Sequence, residues 1–482
     1  MNCMCFINLI LVLLLEFVPG VSFGTDAKPV GYITVTGNIA VQDALLNSDP
    51  VLKVYRGDGI GFSDNGPLKG SSYDIEIKNG RFCIRVPVDT RYSYLRFRLL
   101  KSVGFLSHGL PMVTVGDSLN LAISESGIVI SGKNRLSWEL QKSVFEARGT
   151  ISLNDFGGDR VSRLFAMTDS LIKTSLAKLD FSVDRELQGV LSVNIEARYR
   201  MALLNNLYLL SQADSSLAKG PIKEALNKYF NVWAQVNDPL ILNNVPQYLD
   251  GVVLYHQLMS VFTDGTDHKR FNQLYRELDE HSSGLLRDKL MSYLFWKKAG
   301  LNGDMQSLFF VEYAKIKDVS SKKVMDEILR TKIKGSVLPD FKFEGPDGRK
   351  VALTDFKGRL VVCHFWFTGC LACIQLKKNM EPVISKFKDS NVVFVNVDVD
   401  RTRDLWLKSV RGGAYTSPGE ISLFSGGLGL DHPFIKWYGY TSFPKLIVVG
   451  TDGKLLSADF PLSADTESEK SFEAFIRTNK GT

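Results

Sequence analysis

The sequence predicts three consecutive folds: an all-β sandwich-like domain, an all-α helical domain, and a carboxy-terminal α/β domain. Three observations predict them. Apolar residues alternate with period two from Tyr32 to about Gly132, then recur with a period near 3.6 from about Asn134 to Lys334. Beyond Gly335, continuous apolar runs flank a helical pattern, as in the β-α-β units of parallel sheets. The length requires such a division, since the 482 residues exceed the roughly 250 to 300 at which a single core stops growing. The boundaries read as 25–133, 134–334 and 335–482.

Residues 1–24 read as a secretory signal peptide. Phe6 to Leu15 form an apolar run followed by Pro19 and Gly20, and Ser22 and Gly24 suit a cut ahead of Thr25. A run of about ten residues is too short for a hydrocarbon core that needs roughly 20. The segment before it carries no Lys or Arg, and the competing reading is a buried strand or an uncleaved anchor. Cys3 and Cys5 precede the run, so the lipoprotein pattern is absent. No later segment is apolar enough to span a membrane, and a periplasmic or otherwise extracytoplasmic location is expected.

Hydrophobic residues at 45% and charged residues at 23% are ordinary for a globular protein. The net charge of +6 is spread along the chain without a basic block. That excludes a nucleic-acid or membrane-surface patch of the usual kind. Beyond the leader lie Cys83, Cys363, Cys370 and Cys373, too few in a chain this long for a stapling framework.

In the first domain, strands are expected at Tyr32 to Ile39, Val51 to Tyr55, Tyr73 to Ile77, Phe82 to Val88, Tyr94 to Leu99, Met112 to Val115 and Leu119 to Ile123. Asn79-Gly80 predicts a hairpin with a type I′ turn, because both residues tolerate positive φ. Cys83 reads as a free structural thiol. Gly57, Gly59 and Gly61 are not followed by a helical pattern and read as a turn, not a phosphate loop.

In the second domain, Leu187, Leu191, Ile195, Tyr199 and Leu203 lie on one helix face. Breaks are expected at Gly157-Gly158, at Gly220-Pro221 and near Asn237-Asp238-Pro239. No His-Glu-x-x-His helix is present, and no cofactor or metal is expected.

In the third domain, Leu360 to Phe367 and Val392 to Val399 read as buried strands around a helix from Leu371 to about Lys388. Lys445 to Val449 and Lys454 to Ser457 form a hairpin across Thr451-Asp452-Gly453, and Glu467 to Arg477 a last helix. Leu423 to His432 reads as a glycine-rich loop leading to a helix at Pro433.

Cys370 follows a buried strand and opens a helix, where unpaired N–H groups and the positive dipole end favour a thiolate. Cys373, one turn deeper, is placed to attack a mixed disulfide. A lone Cys-x-x-Cys can also be half a zinc site, but its setting within β-α-β favours redox chemistry.

At these residues the sequence resembles the exported TlpA/ResA-like group of the thioredoxin superfamily. The likeness rests on Phe365-Trp366-Phe367-Thr368-Gly369-Cys370-Leu371-Ala372-Cys373, on Leu338-Pro339-Asp340-Phe341, on Leu353 to Gly358, and on Ser442-Phe443-Pro444. It covers about residues 336 to 480 and implies a thioredoxin fold. It also implies catalytic roles for Cys370 and Cys373, a cis bond before Pro444, and substrate contact at Trp366, Phe443 and Pro444. The upstream regions are similar to those preceding such domains in Bacteroidota proteins.

Three places depart from the family pattern. Gly369 and Ala372 stand where members commonly carry Trp and Pro. His364 stands where cytoplasmic thioredoxins have a buried acid, and is a candidate catalytic residue able to exchange a proton with Cys373. Its competing reading is a buried neutral ring bonded to a backbone carbonyl. Gln375 and Leu376 follow Cys373 where many reducing relatives have a Glu. Cys363 reads as core, and Glu381-Pro382 as a bend in the helix, with Glu381 as a catalytic acid the lesser alternative.

The function so implied is that of an exported thiol-disulfide oxidoreductase acting on disulfide-bearing exported proteins and recharged by a membrane thiol electron donor. Two alternatives of other classes are metal handling by a copper chaperone-like site, with His432 as a third ligand, and a protein-binding module on a thioredoxin fold.

Overall fold

The structure is a computed structural model that describes residues 29–40, 52–57, 72–99, 112–124, 127–151, 159–179, 184–213, 222–230, 232–260, 267–298, 301, 303–388, 390–440, 442–462 and 466–481. The expected signal peptide, Gly59 and Gly61, and the breaks at Gly157-Gly158 and Gly220-Pro221 lie outside the described residues. No described helix is long and apolar enough to cross a membrane.

The amino-terminal β region forms two four-stranded sheets. Strands β1 (Gly31–Ala40), β2 (Leu52–Gly57), β3 (Ser72–Ile75), β4 (Arg81–Val88), β5 (Tyr92–Leu99), β6 (Met112–Thr114), β7 (Ser118–Ser124) and β8 (Gly127–Gly132) pair in the orders β4-β1-β7-β8 and β3-β2-β5-β6. The alternating positions Ile33, Val35, Leu52, Val54, Val86, Leu95, Phe97, Leu119 and Leu121 turn inward and make one core. Strand β8 escaped the pattern because it is an edge strand whose Val129 is exposed.

Asn79 and Gly80 do adopt positive φ, 50° and 69°, and Lys78 and Arg81 exchange backbone hydrogen bonds across them. The hairpin expectation is corrected in one respect. Strands β3 and β4 belong to different sheets, so the turn carries the chain from one layer of the sandwich to the other. Cys83 is a free, exposed thiol on β4.

Strand β2 is buried at all six positions, which a two-layer sandwich does not explain. The outer face of its sheet is covered as well. Tyr92, Tyr94 and Met112 join the helical core, and the Tyr94 hydroxyl donates to the Asn244 carbonyl at 2.7 Å. Lys53, on β2, reaches the carboxylate of Asp431 near the carboxy terminus.

The helical layer comprises α1 (Arg135–Ala147), α2 (Arg160–Leu176), α3 (Arg185–Ala213), α4 (Lys223–Phe230), α5 (Pro239–Asn244), α6 (Pro246–Ser260), α7 (Asp267–His281), α8 (Gly284–Lys297), α9 (Gly303–Lys315) and α10 (Val319–Thr331). All five residues of the Leu187 to Leu203 series are buried on α3, which packs against α2 and α6. The break at Asn237-Asp238-Pro239 is a helix start: the Asp238 carboxylate accepts from the Leu240 N–H at 2.8 Å, with Pro239 in the first turn.

The carboxy-terminal fold is a seven-stranded mixed sheet flanked by helices. Its elements are β9 (Phe343–Glu344), β10 (Lys350–Val351), β11 (Leu360–Trp366), α11 (Leu371–Phe387), β12 (Val392–Asp398), α12 (Arg403–Gly412), β13 (Ile421–Phe424), α13 (Pro433–Tyr438), β14 (Lys445–Val449), β15 (Leu455–Ser457) and α14 (Thr466–Asn479). The sheet order is β10-β9-β13-β12-β11-β14-β15, with β11, β12 and β13 parallel and β14 antiparallel to β11. Helices α11 and α14 cover one face and α13 the other, so β11 and β12 are buried at every position. The expected loop from Leu423 to His432 is corrected at its start, where Leu423 and Phe424 end strand β13. A four-residue strand is too short to stand out as a pattern.

Trp138 belongs to α1 but is 2% exposed within the sandwich core. It locks the first helix to the β region. Trp138→Ala is expected to cost about 3–5 kcal/mol, the usual range for emptying a buried aromatic site. The check is urea unfolding followed by circular dichroism, and a loss under about 1 kcal/mol would show that the site collapses without penalty.

Candidate active site at Cys370 and Cys373

Strand β11 ends at Trp366, and four residues later Cys370 takes the N-cap of α11 with extended backbone, φ −77° and ψ 98°. Its Sγ accepts the Cys373 N–H at 3.1 Å and is disulfide-bonded to Cys373. An N–H of the first helical turn is thus aimed at the sulfur where negative charge would develop in the reduced state. The two sulfurs differ in access: Cys370 is 6% exposed and Cys373 0%.

The loop between strand and helix is clamped. The Thr368 N–H donates to the Asp400 carboxylate at 3.1 Å, and its hydroxyl bonds Asp400 and Ser409. Gly369 has φ +94°, a conformation that L side chains rarely adopt although the space beside it is open. Its N–H donates to the Tyr415 hydroxyl at 2.7 Å. Tyr415 in turn stacks on Trp366, with ring centroids 4.4 Å apart and planes within 6°.

Opposite the helix, the Phe443-Pro444 peptide bond is cis, and the Phe443 carbonyl oxygen lies 3.8 Å from Cys370 Sγ. Cys370, Cys373, Trp366 and Phe443 therefore share one cluster. The expected surface contact at Trp366 is corrected: the ring is wholly buried, sealed by Tyr415. The exposed apolar groups of this segment are Phe367 (39%) and Leu371 (80%), and the Phe367 ring packs edge-on to Phe443 at 6.2 Å.

His364 pairs in register with Asn396 and shares strand parity with Leu360, Val362 and Trp366, the face beneath α11. Burial lowers its pKa to about 3, so the ring is neutral. Among the described residues its Nε2 has no hydrogen-bond partner, so the carbonyl bond of the competing reading is not made at that nitrogen. Cys363, of opposite parity, lies in the core on the other face, where burial pushes its thiol pKa up. Glu381 pairs with Lys377 at 2.7 Å, which lowers its pKa, and Pro382 sits inside α11. His432 has both nitrogens occupied: Nδ1 accepts from the Phe434 N–H at 3.2 Å, and Nε2 donates to the Lys342 carbonyl at 3.0 Å.

Two acids, the buried Asp398 and the half-buried Glu420, were not anticipated. Asp398, register partner of Trp366, is raised to about 9, by burial first and then by Asp400. One of its oxygens accepts from the Asp400 N–H at 2.8 Å, and the other has no hydrogen-bond partner among the described residues. Glu420 is raised to about 7, chiefly by burial, against the lowering effect of the Ser417 N–H and Lys377. Asp398 did leave a signal, since Val392, Phe394, Asn396 and Asp398 share one inward parity. Glu420 precedes a four-residue strand and left none.

Asp398 makes stability depend on pH. Its ordinary pKa is 3.8 and its folded one about 9, so the unfolded chain releases the proton first. Stability is full below about pH 4 and falls as pH rises toward about 9. Asp398→Asn removes that ionisation, so the stability of wild type relative to the variant should decline steadily from about pH 5 to about pH 9 in urea unfolding. A difference independent of pH would contradict the assignment.

Comparison with known proteins covers this region. Residues 335–411 match the model of the AhpC/TSA family. The thiol-disulfide oxidoreductase ResA of Bacillus thuringiensis subsp. konkukian is 30% identical over 122 residues, 25% of this chain and 66% of that protein. ResA of Bacillus subtilis is 29% identical over 124 residues, 26% of this chain and 54% of that one. The chain thus spans just under two thirds, or less, of these relatives' length. A solved thioredoxin domain of a thiol-disulfide oxidoreductase from Bacteroides vulgatus is 25% identical, covering 30% of this chain and 97% of that one with a TM-score of 0.26. Together with the β-α-β unit and the cysteine pair at its helix N-cap, the family match and the ResA relatives show an AhpC/TSA thioredoxin-like domain at the carboxy terminus of this chain.

Proposed function

We propose that the protein is an exported thiol-disulfide oxidoreductase that reduces or exchanges disulfides of extracytoplasmic proteins. The observation that carries this reading is the unequal placement of the two sulfurs: Cys370 caps the helix with residual exposure, and Cys373 is sealed behind it. In the reduced protein, the Cys370 thiolate attacks a substrate sulfur and expels the other substrate sulfur as a thiolate. Cys373, once deprotonated, then attacks Cys370 Sγ and releases the second substrate thiol. The substrate gains two electrons and two protons, and the protein is left with the Cys370–Cys373 disulfide. A thiol donor at the membrane would return the pair to the dithiol.

Phe443 and Pro444, with Phe367 and Leu371, frame the approach to Cys370 as an apolar seat for a substrate segment. His364 does not act as the proton acceptor in this scheme, because a buried ring with a pKa near 3 is a weak base. Copper handling through His432 is not favoured, since both its ring nitrogens are already bonded.

Two outcomes are expected. After reduction, Cys370 should alkylate faster than Cys373 below about pH 8, and Cys373→Ser should trap a mixed disulfide with substrate. Equal alkylation rates, or trapping only with Cys370→Ser, would reverse the roles. Expressed with its leader in a Gram-negative host, the protein should appear in the periplasmic fraction with an amino terminus near Thr25. Recovery in the cytosol with Met1 intact would defeat the export reading.

A further inference from the structure

The helical layer carries a second cluster of donor groups, remote in sequence from the cysteines. His256 lies on α6, and Glu277 and His281 lie on α7, one turn apart on the same face. One donor atom from each of the three lies within 4.8 Å of the other two. The His256 and His281 ring centroids are 5.7 Å apart.

His256 is 6% exposed, and among the described residues its ring meets those of Tyr255 and His281. Its position beside a second imidazole and a carboxylate gathers three lone-pair donors in one place, an arrangement that a bound cation would satisfy. Burial, and next His281, depress its pKa to about 4, so its lone pair is free at neutral pH. His281 Nδ1 lies 2.9 Å from the Glu277 carbonyl oxygen. In the tautomer that donates this bond, Nε2 presents a lone pair, and a backbone carbonyl behind the ring is the usual outer support of a metal-bound histidine. The carboxylate of Glu277 lies 3.7 Å from the same Nδ1. His281 is also the last residue of α7, at the negative end of the helix dipole, where a cation is favoured.

We propose that His256, Glu277 and His281 form a site for a divalent zinc ion, clamping α6 to α7 with a fourth position open to water. Two imidazoles and one carboxylate are a donor set that suits zinc. Glu277 and His281 have side chains 34% and 53% exposed, so ions can enter from that side and both can rotate inward. His256 is the fixed member of the set.

The test uses the full chain, stripped of metal, with Cys370 and Cys373 kept oxidised and Cys83 alkylated so that none of these three sulfurs competes. Zinc titrated by calorimetry should bind with one equivalent, and cobalt should give a visible spectrum of a low-coordinate site. His281→Asn, which removes an exposed side chain, should lower zinc affinity about tenfold or more, as should Glu277→Gln. His256→Gln should abolish the cobalt spectrum. Zinc should raise the melting temperature of wild type and not of His281→Asn. Absence of stoichiometric binding in wild type, or unchanged affinity in both His281→Asn and Glu277→Gln, would overturn the proposal even if His256→Gln fails to fold. Neither result bears on the thiol chemistry, which is read with zinc absent.

Discussion

The site depends on a strand that is dry on both faces. β11 is buried from Leu360 to Trp366, held between α11 and α14 on one side and α13 on the other. A strand in that position has no freedom to slip, since a shift of one residue would exchange its two apolar faces. Its end is therefore a fixed point, and the three residues beyond it deliver Cys370 to the start of α11. Thr368 tied to Asp400 and Gly369 tied to Tyr415 complete the delivery. The chemistry of Cys370 thus follows from the packing of residues that never touch a substrate.

The same dryness explains the unusual charge states nearby. His364 and Asp398 are sealed from water and Glu420 is half-buried, so each is driven toward its neutral form. The sheet under the cysteine helix carries few charges for that reason. A reduced Cys370 would feel mainly the helix end, and not a scatter of nearby ions.

How much of this was legible in the sequence differs from element to element. The buried runs Leu360 to Phe367 and Val392 to Val399 declared a parallel sheet, because they flank a helical pattern and are apolar on both faces. Cys370 and Cys373 were legible from spacing and setting, and Phe443-Pro444 from resemblance. Trp366 was misjudged because the partner that buries it, Tyr415, is distant in sequence and belongs to no pattern. The Asn79-Gly80 turn was legible as a conformation, but which sheet each flanking strand joins is decided by long-range pairing. His256 was invisible for a related reason: its neighbours Glu277 and His281 come from another helix.

The contact between Lys53 and Asp431 has an asymmetric consequence. Lys53 is nearly sealed from solvent, and its other carboxylate, Asp74 at 3.2 Å, is largely exposed. Asp431 by contrast also holds Arg401 at 3.2 Å and Lys436 at 3.1 Å. Severing the chain before the thioredoxin-like domain would leave Asp431 neutralised by two cations of its own. The lysine would lose its buried partner, the kind of loss that costs roughly 3–5 kcal/mol when the remaining charge stays buried. The burden of separation falls on the amino-terminal sandwich, whose Lys53 is partnered from the carboxy-terminal domain.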